Sequence, residues 1–217
     1  MILDPSLQLA IYIPPNKLYI TVFNKINFLP LNFMQIENQP SLPGLQITQQ
    51  VLSELGSVLC SICKREVTVS VLTQGRIGLD DTRAMFDPNE PEVIAVSQRV
   101  QGALSGYAIF VVKYGFGVRL LRELLKEDAR LRDLTEMEEE ALLELGNIVI
   151  NSYLSSYLNG HGVEINSFLP TLARDHYAQI LHEYQPELLS DQLEYLQLQI
   201  SLAGQGYPVC LFWADTY

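Results

Sequence analysis

The stretch EEEALLELGNIVIN, residues 138–151, carries two patterns at once. Leu142, Leu145, Val149 and Ile150, with Leu143 beside them, recur at the steps of a buried helix. Glu140, Glu144, Asn147 and Asn151 recur at steps of four, three and four. That spacing draws two carboxylates and two amides into one narrow stripe on an otherwise apolar helix. Gly146 stands mid-helix, where glycine costs about 1 kcal/mol relative to alanine and marks close packing. A polar stripe is often just the solvated side of a surface helix, but its narrowness and the glycine weigh against that here. A functional face stands beside the solvated one as a reading.

Part of this stretch occurs twice. SELGSV at 53–58 matches LELGNI at 143–148, aligning Glu54 with Glu144 and Ser57 with Asn147. VTVS at 67–70 matches VEIN at 163–166, and SGYAIFVV at 105–112 matches QGYPVCLF at 205–212. Three matches in one order, with slowly growing offsets, indicate an internal duplication. Each copy reads as a helix followed by three strands.

In the second copy Thr135 and Glu138 form a capping box that starts the helix, and Asn159-Gly160 ends it. A strand is expected around 162–168, then a helical piece in RDHYAQILHEY up to Pro186. YLQLQISLAG alternates apolar and polar residues as a half-buried strand does, and Gly204 and Gly206 turn the chain into a last strand ending near Trp213. In the first copy a further helix, GVRLLRELLKED, follows the last strand, with interleaved charges that read as a solvated face. The expected fold is α+β: a duplicated helix–strand–strand–strand unit forming a mainly antiparallel sheet of roughly six strands, one face covered by long helices. Residues 46–130 and 131–217 are the two copies within one domain. Residues 1–45 match neither, hold six of the eleven prolines, and offer one strand candidate in LYITVF.

Composition narrows the function. With 48% hydrophobic and 18% charged residues in 217, the chain has a core to bury and is not a disordered one. A net charge of −11 argues against nucleic acid or an anionic membrane as partner. No apolar run approaches membrane-spanning length and the N-terminus lacks a basic secretory start, so a cytoplasmic location is expected. Cys60 and Cys63 form C-S-I-C, but no second pair follows and the three histidines lie far away in sequence. They read as small apolar helix residues rather than ligands, and no metal or cofactor site is expected.

E-L-G-N-I on a helix, repeated in degenerate form about ninety residues earlier, resembles the CheC/CheX/FliY family of chemotaxis phosphatases. The family signature is Asp or Ser, three residues, Glu, two residues, Asn, twenty-two residues, Pro. Glu144, Asn147 and Pro170 match it; Glu140 stands at the Asp/Ser position as a departure. The likeness runs from about residue 46 to the end, across the whole duplicated region. It implies hydrolysis of the phosphoaspartate of a CheY-like response regulator. Asn147 would hold the attacking water, Glu144 would pair with the regulator's active-site lysine, and Glu140 and Pro170 would be accessory. The Mg²⁺ belongs to the partner, so this chain needs none. Glu54 and Ser57, with Gln50 leading, form a degenerate first-copy site: a serine is shorter than an asparagine and carries one hydroxyl. One active site is expected, in the second copy.

The alternative is a module that binds a regulator, or a CheD-like protein as some members do, without turnover. A flagellar switch component ranks lower, because FliY-type proteins carry a further C-terminal domain. A metal-dependent hydrolase ranks lowest, because no histidine stands at ligand spacing from the stripe.

Overall fold

A computed structural model describes residues 7–12, 19–24, 47–86, 92–102, 104–125, 133–161 and 165–216. The chain divides into two compact units, Met1–Ser41 and Leu42–Tyr217. In the first, β1 (Leu7–Tyr12) pairs antiparallel with β2 (Tyr19–Asn24), setting Leu9 opposite Val22 and Ile11 opposite Ile20. The strand expected in LYITVF falls in β2; apart from β1 and β2, residues 1–45 lie outside the described residues.

The second unit begins with α1 (Gln49–Cys63), followed by β3 (Val67–Gly78), β4 (Glu92–Gly102) and β5 (Gly106–Lys113). Helix α2 (Tyr114–Leu125) then leads to α3 (Glu136–His161), the helix of the opening stretch. After it come β6 (Ile165–Ser167), β7 (Thr171–His176), α4 (Tyr177–Tyr184), β8 (Gln192–Leu202) and β9 (Gln205–Asp215). Among the described residues no helix is long and apolar enough to cross a membrane.

The strands form one antiparallel sheet in the order β3-β8-β9-β5-β4-β6, with β7 also paired to β4. The order reads the same from either end in terms of the duplication. The third strands of the two copies, β5 and β9, meet at the centre, and each copy's first strand pairs with the second strand of the other. Neither copy closes a sheet alone, so the duplication makes one domain rather than two.

The sheet differs from the sequence expectation in two respects. Among the described residues it has seven strands, because the first strand of the second copy is split. The stretch expected as one strand at 162–168 is β6, and the ladder on β4 resumes as β7 only after Phe168, Leu169 and Pro170. Proline has no N–H to give a ladder, which is why pairing stops there. Arg174, Asp175 and His176, expected in a helix, therefore belong to β7, and α4 starts at Tyr177.

The second difference is that both sheet faces are covered. Ile94, Val96, Phe110 and Val112 face the long helices in one cluster with Leu55, Leu121, Leu142 and Val149. Val93, Ala95, Ile109 and Val111 face a second cluster with Tyr177, Ile180 and Leu181 of α4 and Phe86, whose ring stacks on Tyr177 at 3.9 Å between centroids. Alternation survives on β8, while β4, β5 and β9 are buried almost continuously, as strands covered on both faces must be. The β8–β9 turn is Ala203-Gly204, both at positive φ, as a two-residue hairpin requires. Gly206, expected in that turn, lies inside β9, where a Cβ would meet Gln199.

Candidate functional site

Helix α3 is fixed at its start more firmly than its surface stripe alone would require. Thr135 and Glu138 cap it reciprocally: Glu138 N–H donates to Thr135 Oγ1 at 3.3 Å and Thr135 N–H to Glu138 Oε2 at 2.7 Å. The other carboxylate oxygen of Glu138 accepts from Arg122 Nε of α2 at 2.8 Å, and both side chains are fully buried. Arg122 belongs to the stretch read from sequence as a solvated face; in the fold its guanidinium is 0% exposed. Further along, Gly146 rests on β4. A Cβ there would lie 2.5 Å from Cβ of Val96, so only glycine lets the helix approach the sheet this closely.

Beyond that contact the polar stripe faces outward. Glu140 and Asn151 are exposed, and Glu144 and Asn147 are half-buried. Asn151 Nδ2 donates to Asn147 Oδ1 at 2.7 Å. The Asn147 amide stands one turn along from the Glu144 carboxylate. Burial raises the pKa of Glu144 above its ordinary value of 4.5, and the neighbouring Asn147 amide offsets part of that rise. The stripe therefore presents a partly desolvated carboxylate that gains from a cation brought to it, beside an amide held by Asn151.

Pro170 comes to the same region through the sheet. Leu172 of β7 lies opposite Val96, the residue under Gly146, and Pro170 is two residues before Leu172. The break carrying Pro170 is pinned to β4 by Phe168 N–H donating to the Arg99 carbonyl at 2.9 Å and by Gln98 Nε2 donating to the Phe168 carbonyl at 3.0 Å. The spacing thus places Pro170 two residues from the strand pair that underlies Gly146. Glu140, one turn before Glu144, stands exposed at the head of the stripe.

The first-copy stripe on α1 is wired differently. Gln50 Nε2 donates to Glu54 Oε1 at 2.9 Å, so this carboxylate is held from the N-terminal side. Ser57 Oγ donates to the Ser53 carbonyl at 2.8 Å, and Ser61 Oγ to the Ser57 carbonyl at 2.9 Å. Each serine spends its one hydroxyl hydrogen on its own helix. Cys60 and Cys63 lie on the packed side; Cys60 Sγ accepts from Val67 N–H at 3.0 Å and Cys63 is buried. One member of the stripe, Asn151, received no role from sequence, although its four-residue step from Asn147 was the available signal.

Comparison with known proteins bears on this arrangement. No protein-family model matches the chain. The CheY-P phosphatase CheC of Bacillus subtilis (strain 168) is 25% identical to it over 135 residues, 61% of this chain. In sequence the chain is thus similar to a member of the CheC/CheX/FliY family. The match spans 65% of the length of that CheC, just under two thirds. Among solved structures, FliY of Thermotoga maritima superposes with a TM-score of 0.57 at 14% identity, covering 78% of this chain and 91% of FliY. The FliM middle domain from H. pylori gives 0.54 at 10% identity, covering 77% and 86%. At these identities the likeness is one of fold, and the fold is the one shared by FliY and the FliM middle domain.

Proposed function

We propose that this chain is a CheY-P phosphatase that hydrolyses the phosphoaspartate of a CheY-like response regulator in a cytoplasmic chemotaxis pathway. The observation that carries the reading is the Glu144–Asn147 pair. A half-buried carboxylate with a raised pKa and a side-chain amide share one outward helix face, fixed to the sheet by Gly146. Phosphoryl transfer to water asks little covalent chemistry of the enzyme and much positioning. The regulator brings the phosphoaspartate and its Mg²⁺; α3 brings the groups that place the water.

Glu144 docks first. Its carboxylate lacks full hydration, so a lysine of the regulator entering the stripe forms a charge-assisted bond and replaces the missing water. That pairing occupies the carboxylate and leaves the N–H groups of the Asn147 amide free for the substrate. Asn147 then holds the attacking water through its oxygen, which has a second lone pair, while a free N–H faces the phosphoryl oxygens. Glu140 adds negative charge at the head of the stripe, and Pro170 shapes its lower border.

Purified protein incubated with a panel of phosphorylated response regulators tests the reading through phosphate release. Accelerated release from at least one CheY-like regulator is expected. Saturable binding of the phosphorylated form without release would instead establish a non-enzymatic regulator-binding module. Glu144→Lys is expected to weaken docking by a salt-dependent amount, measured at two ionic strengths.

A further inference from the structure

The phosphatase reading leaves unsaid what decides which way the Asn147 amide points. Its oxygen and nitrogen occupy nearly the same space, so packing alone does not choose between them. Its neighbours do. The Glu144 carboxylate beside it offers only acceptors, so it favours the nitrogen of Asn147 on its side. The oxygen is then turned the other way, where Asn151 Nδ2 donates to it at 2.7 Å. A flipped Asn147 would set oxygen against carboxylate and nitrogen against nitrogen. The first copy contains no such lock, since Ser57 and Ser61, at the equivalent positions, both bond back to the α1 backbone.

We propose that Asn151 is a positioning residue for hydrolysis: its donation to Asn147 Oδ1 fixes the amide in the one orientation that offers an acceptor to the attacking water. This rests on the phosphatase reading for its function but not for its geometry. The role of the lock is greatest after docking. Once a lysine has taken Glu144, the bond from Asn151 keeps the oxygen in place, since turning Asn147 over then requires both amides to rotate together. Asn151 itself is exposed, packs against little, and need not touch the phosphoryl group.

Three substitutions separate this from a structural role, all on an exposed side chain that the fold does not need. Asn151→Ala removes the donor, Asn151→Gln keeps one, and Asn151→Asp keeps the shape but offers only acceptors. In single-turnover assays at saturating phosphorylated regulator, Asn151→Ala is expected to slow release about tenfold, the worth of one hydrogen bond, with half-saturation little changed. Asn151→Asp should be slower still, because it pulls the nitrogen of Asn147 round, and Asn151→Gln should recover most of the rate. Wild-type rate in Asn151→Asp, with Asn147→Ala inactive, would overturn the positioning role while leaving the phosphatase reading in place. A second readout needs no regulator: the side-chain NH₂ resonances of Asn147 in the protein alone. They are expected to shift in Asn151→Asp and to keep their position in Asn151→Gln. Unchanged Asn147 resonances in Asn151→Asp would sink the inference even if wild-type protein released no phosphate, a result that would itself remove only the phosphatase reading.

Discussion

Helices α1 and α3 carry the same stripe at the same spacing, yet the two stripes end in opposite states. On α3, Glu144 has the Asn147 amide on its C-terminal side, and Asn151 holds that amide in turn. On α1, Glu54 is bonded from its N-terminal side by Gln50, and the two serines beyond it are folded onto their own backbone. The first strands differ in parallel. β3 carries a one-residue irregularity between Val71 and Thr73, leaving Leu72 exposed; in the second copy the corresponding place has opened into the Phe168–Pro170 break. The two copies thus share a scaffold and differ in how their polar stripes are bonded. Spacing sets where side chains stand. Which atoms remain free to meet a partner depends on the side chain chosen.

The helices are also held with unequal force. The α1 N-terminus has the Thr48 hydroxyl accepting from Val51 N–H at 3.3 Å, while α3 has a full capping box tied to buried Arg122. Glu138→Ala should therefore give the largest stability loss, about 3–5 kcal/mol, since it breaks a buried ion pair. Thr48→Ala should cost about 1 kcal/mol, the usual worth of a cap. Urea denaturation of both variants checks the contrast, and equal losses would break it. Gly146→Ala comes next, at about 1–3 kcal/mol, because its methyl must displace Val96 by more than the side chain can yield. Gly56→Ala, whose Cβ would meet the Val67 carbonyl at 3.2 Å, is expected within about 1 kcal/mol of neutral, helped by alanine's better helix propensity.

A smaller effect follows from Glu144. Its pKa is raised in the folded chain by burial, so the folded state binds that proton more readily than the unfolded chain does. The favourable contribution is therefore complete below the ordinary value of 4.5 and is lost as pH rises through the higher folded value. Glu144→Gln, which never ionises, should melt above the parent protein near neutral pH, the difference closing as pH falls toward 4.5. Thermal melts across that range check the sign. A glutamine variant less stable than the parent at neutral pH would mean that the charge is well solvated and has no need of a partner cation.

Much of this was legible in the sequence, for identifiable reasons. The repeat of E-L-G and the strand alternation after it give the helix–strand–strand–strand unit, because both periods are geometric. The capping box at Thr135 and Glu138 reads directly from its four-residue pattern. The exchange of first strands between copies was not legible, since pairing partners far apart in sequence leave no local mark. The second covered face was missed because β4 and β5 are apolar in runs, and α4 was drawn too long to be placed over them. The burial of Arg122 was hidden by its charged neighbours, which look alike whether or not one of them turns inward. At the site, the sequence supplied Glu144, Asn147 and Pro170 as a spacing. The inward turn of Ser57 and the bond from Asn151 are rotamer choices that spacing does not encode.

The claim that one of two matching stripes does the chemistry is tested most directly by single-turnover decay of a phosphorylated CheY-like regulator with Asn147→Ala and Ser57→Ala side by side. Asn147→Ala, folded by circular dichroism, is expected to lose activity by about 100-fold or more, the scale on which misplaced reacting groups lower rates. Ser57→Ala is expected to match the parent, because its hydroxyl is already committed to the Ser53 carbonyl. A large loss in Ser57→Ala, or full activity in Asn147→Ala, would contradict the account.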